Sequence, residues 1–304
     1  MTRRSYYEST ARQRIDGVFD RASFRELVPP SERIVSPHLP ALDLPVALDD
    51  GVVIGTATLD ARPVLVAAQE GGFMGGAVGE VHGAKIAGLL RRALRERPDA
   101  VLLLLDSGGV RLQEAGAGLT GVSEIIAAIV AARAARVAVV AAIGGTCGCF
   151  GGMGIAAACC DVVVMSEEGR LGLSGPEVIE TLAGAEELDA RDRALVWRTC
   201  GGKHRYLLGD CDVLVDDSLA AFREALAGAL GRQAPLTLEA LEREHAMLQR
   251  RIARFGGADD AQAIWQALGI ERPEEVPLTP TQRFVAQVRA ARERSDAPAH
   301  AEAP

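Results

Sequence analysis

Three times along this chain an apolar run ends in glycine and then passes into a helical pattern, and that recurrence restricts the fold more than any other feature. PVLVAAQ is followed by GGFMGGAVGEVHG and then by Ala84 to Arg97, which carries Ile86, Leu89, Leu90 and Leu94 on one face. Asp99 to Leu105 is followed by DSGG and a helical pattern from Gly118 to Ala135. Val137 to Ile143 is followed by GGTCGCFGG and a short helix, Gly152 to Cys160, with another strand at Val162 to Met165. Strands apolar at every position are buried on both faces, as in parallel sheets with helical crossovers. The chain therefore reads as α/β, with its glycines at the carboxyl ends of strands, where such folds bind ligands.

The flanking segments read differently. ARQRIDGVFDRASFREL, with Ile15, Val18, Phe19, Phe24 and Leu27 at helix-compatible spacing, makes residues 1–30 a helical arm that Pro29-Pro30 ends. GVVIGTATL and PVLVAAQ form a hairpin across Asp60-Ala61-Arg62. GPEVIE starts a helix at Pro176. Beyond a core domain over 31–230, a C-terminal helical segment covers 231–293. Its Leu238, Leu241, His245, Leu248, Ile252 and Phe255 form one stripe of a peripheral helix, and a small, polar tail over 294–304 is expected to be disordered.

Several chemistries are excluded or weakened. A net charge of −8 leaves no basic field for nucleic acid or anionic membrane. Val137 to Cys160 lacks any charged residue, but its six glycines divide it into strand, loop and helix instead of a membrane span. The six cysteines, all from Cys147 onward, form no Cys-x-x-Cys knuckle, so no metal site is expected. Reduced thiols and an N-terminus without an apolar leader lead us to expect a cytoplasmic protein. Gly152-x-Gly154-x-x-Ala157 lacks the acidic partner of a dinucleotide fingerprint, and Gly83-Ala84-Lys85 lacks the ending of a phosphate loop. Ser107 has no nucleophile elbow, Ser174 is first a helix cap, and His82, an acid or ligand contact in principle, reads first as a histidine bonded near a helix start. Glycine remains, in GGFMGG, DSGGVR and GGTCGCFGGMG. Such loops let backbone N–H groups converge on a developing oxyanion.

FMGGAVGEVHGAKI, DSGGVRLQEA, GGTCGCFGGMG and GRLGLSGPEVIE, in that order, resemble the carboxyltransferase branch of the crotonase superfamily, from about Gly51 to Ala229. The resemblance includes the acetyl-CoA carboxylase β subunit, but no cysteine here precedes Cys147 to build that protein's zinc ribbon. SYYESTARQRIDG and ALVWRTCGGKHRYLLGDCDVLVDD most resemble the β subunit of biotin-independent malonate decarboxylase. The resemblance implies a crotonase-like spiral of ββα units and a carboxy-lyase that decarboxylates a malonyl thioester. It implies no covalently bound cofactor in this chain, the substrate arriving on an acyl-carrier subunit whose prosthetic group is related to coenzyme A. A γ subunit of related fold and an acyltransferase α subunit are the further partners implied. The hole is carried over to Val110, after Gly108 and Gly109, and to Gly151 or Gly152. Gly75, Gly76, Gly175 and Pro176 are placed near the thioester or a subunit interface by motif position, and His82 is the candidate proton donor. Two alternatives stay open: a biotin-dependent carboxyltransferase subunit, and a non-catalytic scaffold subunit.

Overall fold

A computed structural model describes residues 4–41, 43 and 50–296. Seven strands, β1 (Arg25–Leu27), β2 (Val52–Leu59), β3 (Arg62–Gln69), β4 (Ala100–Leu105), β5 (Val139–Ile143), β6 (Val162–Ser166) and β7 (Val213–Val215), form one sheet in sequential order. β1 to β3 pair antiparallel, and β3 to β7 pair parallel. Asp60 and Ala61 both have positive φ, the twist a two-residue hairpin turn needs between β2 and β3.

The helices are α1 (Ala11–Val18), the single turn α2 (His38–Ala41), α3 (Glu80–Glu96), α4 (Ala117–Ala134), α5 (Gly152–Ala158), α6 (Pro176–Ala183), α7 (Arg193–Cys200), α8 (Gly202–Leu208), α9 (Leu219–Ala229), α10 (Leu238–Phe255), α11 (Ala261–Ala267) and α12 (Thr281–Asp296). β4 alternates between two cores. Val101, Leu103 and Leu105 point to the crossover helices α3, α4 and α5, while Leu102 and Leu104 point to α1 and α9. Because the strand order never reverses, successive crossovers fall on one face and the chain winds as a spiral. In register, Leu105 pairs with Ile143 and Ile143 with Met165, so the loops after β4, β5 and β6 leave the sheet level with one another. Beyond the strand ends they pair again through single bridges, Ser107 with Cys149 and Cys149 with Leu171, and Val78 of the loop after β3 pairs in the same way with Val110.

The apolar run from Val137 divides into β5, a loop and α5, as its glycines predict. Among the described residues one helix, α4, is long and apolar enough to cross a membrane, yet Val122, Ile125, Ile129 and Ala132 pack it into the core.

Three expectations change. The arm is helical only to Val18; Leu27 lies in edge strand β1. The chain turns at Asp20, whose carboxylate accepts from Thr58 Oγ1 and from the Asp60 and Ala61 amides at the hairpin tip. α3 starts four residues early, since the Glu114 carboxylate accepts the Glu80 N–H and satisfies an orphan donor of its first turn. The C-terminal segment is only partly peripheral: α10 buries no residue, but Trp265 of α11 and Phe284 and Val288 of α12 enter the core that holds Leu103. Of the tail expected from 294, residues 297–304 lie outside the described residues, and the first three positions continue α12.

Candidate functional site

In LLLLDSGGVRLQE every polar side chain but one turns inward: Asp106, Ser107, Arg111 and Glu114 are each at most 2% exposed. Ser107 Oγ folds back on its own loop, donating to Gly109 C=O at 3.2 Å and accepting the Gly109 N–H at 3.3 Å. Arg111 donates from Nε to Ala77 C=O at 2.9 Å, from Nη1 to Glu114 at 3.0 Å, and from Nη2 to Asp50 C=O. The segment offers almost no side-chain chemistry and holds its backbone firmly.

That backbone has a direction. In the Val78–Val110 bridge, Val78 donates to Gly109 C=O and accepts from Arg111 N–H, both at 2.9 Å. The bridge fixes the peptides on either side of Val110 and leaves the Val110 N–H pointing away, with no acceptor among the described residues. Gly109, at φ +140°, supplies a conformation side chains rarely adopt.

The second loop ends at Gly151, φ +61°, where α5 starts. The Gly151 N–H donates to Leu173 C=O at 2.8 Å, so of the two donors carried over by motif Gly151 is already engaged. Gly152, first residue of the helix, has no acceptor for its N–H among the described residues. The two loops touch: a methyl group on Gly151 would stand 3.3 Å from Gly109 Cα. Two unengaged N–H groups thus follow immediately after the glycines at which the loops meet, one of them at the positive end of a helix.

The remaining motif residues sort around this point. Gly75 C=O accepts the Gly108 N–H at 2.9 Å, and a methyl group on Gly76 would fall 1.8 Å from Asp106 C=O, which binds the first glycine loop onto the second. Gly175 caps α6 with Pro176 at its first position, two residues beyond Leu173, and lies over the Phe150 ring. His82 is elsewhere. It is fully buried, with Nδ1 3.2 Å from Asp50 C=O and Nε2 3.0 Å from Gln69 Nε2. Donation from Nδ1 and acceptance at Nε2 fit these partners. Burial, with Arg111 and Lys85 nearby, pushes its pKa down to about 3. A neutral ring enclosed by its own partners does not reach the hole as a proton donor; its role is structural. Gln69 passes the contact on, its Oε1 accepting the Asp106 N–H at 3.1 Å.

Sequence reasoning missed the groups that hold the loops, Gln69, Asp106, Arg111 and Glu114, and missed Arg14 on α1. A signal existed: charged residues directly after an all-apolar strand must be either exposed or paired. Nothing in the sequence shows which. Among the described residues no group of His, Cys, Asp and Glu is suited to a metal ion.

Comparison with known proteins adds an independent line. The carboxyl transferase domain model matches residues 4–225. A malonyl-S-ACP:biotin-protein carboxyltransferase of Malonomonas rubra is 39% identical over 308 residues, 94% of this chain and 96% of that relative. A Pseudomonas malonate decarboxylase hetero-tetramer in complex with malonate contains a chain superposing at a TM-score of 0.78, with 42% identity, over 86% of this chain and 95% of that one. The transcarboxylase 12S structure superposes at 0.60 with 28% identity, over 72% of this chain and 40% of that one.

Proposed function

Because the chain belongs to the carboxyl transferase domain family, with the crotonase-type fold and a close relation to the malonate decarboxylase carboxyltransferases, we propose that it is the β subunit of a cytoplasmic malonate decarboxylase complex. The observation that carries this reading is the pair of unengaged N–H groups, Val110 and Gly152, on loops in contact.

Loss of CO₂ from a malonyl thioester breaks the bond between the α-carbon and the carboxylate. Its electron pair passes into the thioester as an enolate, and protonation of the α-carbon then gives the acetyl thioester. Charge grows on the thioester oxygen only as the bond breaks, so donors aimed there stabilise the transition state more than the bound substrate. The Val110 and Gly152 amides supply that charge-dependent binding, with Gly75, Gly76, Gly175 and Pro176 shaping the approach of the acyl group. The thioester arrives on a carrier subunit's prosthetic group related to coenzyme A, an acyltransferase α subunit exchanges the acyl group, and a γ subunit of related fold faces the hole. The hetero-tetrameric relative supports partners of this kind.

One relative's name includes a biotin-protein acceptor, and the reading to be tested against the first is therefore that the carboxylate is transferred instead of released. One experiment separates the two. The chain, co-purified with its partner, is given a malonyl thioester in avidin-treated buffer, and CO₂ is followed. Release without biotin, requiring both chains, is expected. Release only on adding a biotinylated carrier moves the protein to the transferases, and no turnover in either condition leaves the scaffold reading.

A further inference from the structure

We propose that Arg14, on the N-terminal arm, is a positioning residue that sets the spacing between the two hole loops through Asp106. The proposal rests on the hole described above. Arg14 Nη2 and Asp106 Oδ2 are 2.9 Å apart, the side chains 1% and 2% exposed. The same carboxylate accepts the Cys147 N–H, from the loop that leads to Gly151, at 2.7 Å. One buried carboxylate therefore joins the start of the first hole loop, the start of the second, and the arm.

The space around it admits nothing else. A methyl group on Gly145 would fall 2.1 Å from the carboxylate, and one on Gly71 2.7 Å from it. The arm is held in turn from the first glycine loop: Glu70, just past β3, accepts the Ala11 N–H at the start of α1 at 2.9 Å and the Gly72 N–H at 3.0 Å. Arg14 Nε donates to Tyr6 C=O at 3.1 Å and the guanidinium stacks over the Tyr6 ring, leaving it little freedom. All three glycine loops are thus fastened to α1, through the buried Arg14 and Asp106 and through Glu70. The carboxylate fixes Cys147, four residues before Gly151, relative to Asp106, four residues before Val110.

The test uses the complex with its partner and three variants. Arg14→Met is expected to lower kcat about 10²-fold, the scale of losing one oxyanion donor, with KM within about twofold. Arg14→Lys should recover most of the rate. The pair Arg14→Met with Asp106→Ala removes both buried charges without adding bulk beside Gly145, so its Tm should rise back above that of Arg14→Met alone. Its kcat should stay low, because an aliphatic side chain in place of the carboxylate cannot accept the Cys147 N–H. Recovery of kcat together with Tm would reduce the pair to a stabilising role and overturn the proposal, as would a rise in KM at unchanged kcat. Hydrogen exchange gives a readout independent of activity: amides of 107–112 and 147–153 should quicken together in Arg14→Met. Quickening of one loop alone, or of neither, counts against the coupling. If wild type needs a biotinylated carrier, the decarboxylase reading fails while the same variants, measured on carboxyl transfer, still test the positioning.

Discussion

The two buried histidines show how burial sets chemistry residue by residue. His82 is pushed down to about 3, and His204, whose Nδ1 accepts the Trp265 indole N–H at 3.0 Å, to about 4, in both cases mainly by burial. In the unfolded chain histidine titrates near ~6.5. Both folded values lie below that, so the unfolded state binds more protons in acid. Their contribution to stability is full above about pH 6.5 and is lost as pH falls towards the folded values. Thermal melts from pH 7 to pH 4 should show a declining Tm, and His82→Gln or His204→Gln should flatten the decline; variants that melt in parallel with wild type would contradict this. At Gly151, with φ +61° and Gly109 Cα beside it, Val has neither the conformation nor the space. Gly151→Val should lower kcat/KM at least ~10²-fold while the chain still assembles with its partner. Gly108→Val should do likewise, since a methyl group there stands 3.3 Å from Gly75 C=O.

Elements differ in how much they carry. Leu104 of β4 is fully buried against α1 and α9, so Leu104→Ala should cost about 2–5 kcal/mol in denaturant unfolding. Ile252 of α10 is 71% exposed, and Ile252→Glu should change stability by no more than about 0.5 kcal/mol. The same difference governs what the sequence reveals. β4 and β5 are legible because burial on both faces makes every residue apolar, β3 because its run from Pro63 to Ala68 is apolar, and α3 and α4 because each buries one stripe. β1 is not: Arg25-Glu26-Leu27 is an edge strand of three residues, and the turn before it depends on Asp20 reaching Thr58, 38 residues away. The glycine loops were legible as sites of close backbone approach. Which of two adjacent amides is unengaged was not, because the Gly151 amide is taken by a carbonyl 22 residues away, at Leu173.

Across the whole molecule the six cysteines are free thiols, four of them buried. Burial raises all six, Cys200 to about 11, so few thiolates exist at neutral pH. Thiol reagent under native conditions should label half-buried Cys147 and Cys159 first and the other four only on unfolding, with reductant leaving Tm unchanged; early labelling of Cys149 or Cys211 would contradict the packing. A hole made from peptide groups has a further consequence for genetics. Substitution at Val110 leaves its amide in every variant except proline, so a mutational scan would read there only the packing of the side chain against the core, and would single out Asp106, Arg111 and the glycines instead. Sequence change has little means of discarding those donors directly, and a compound that engages them is opposed only by changes to the scaffold. Replacing one backbone amide by an ester, through chemical synthesis, is the alteration that would reach the reaction itself.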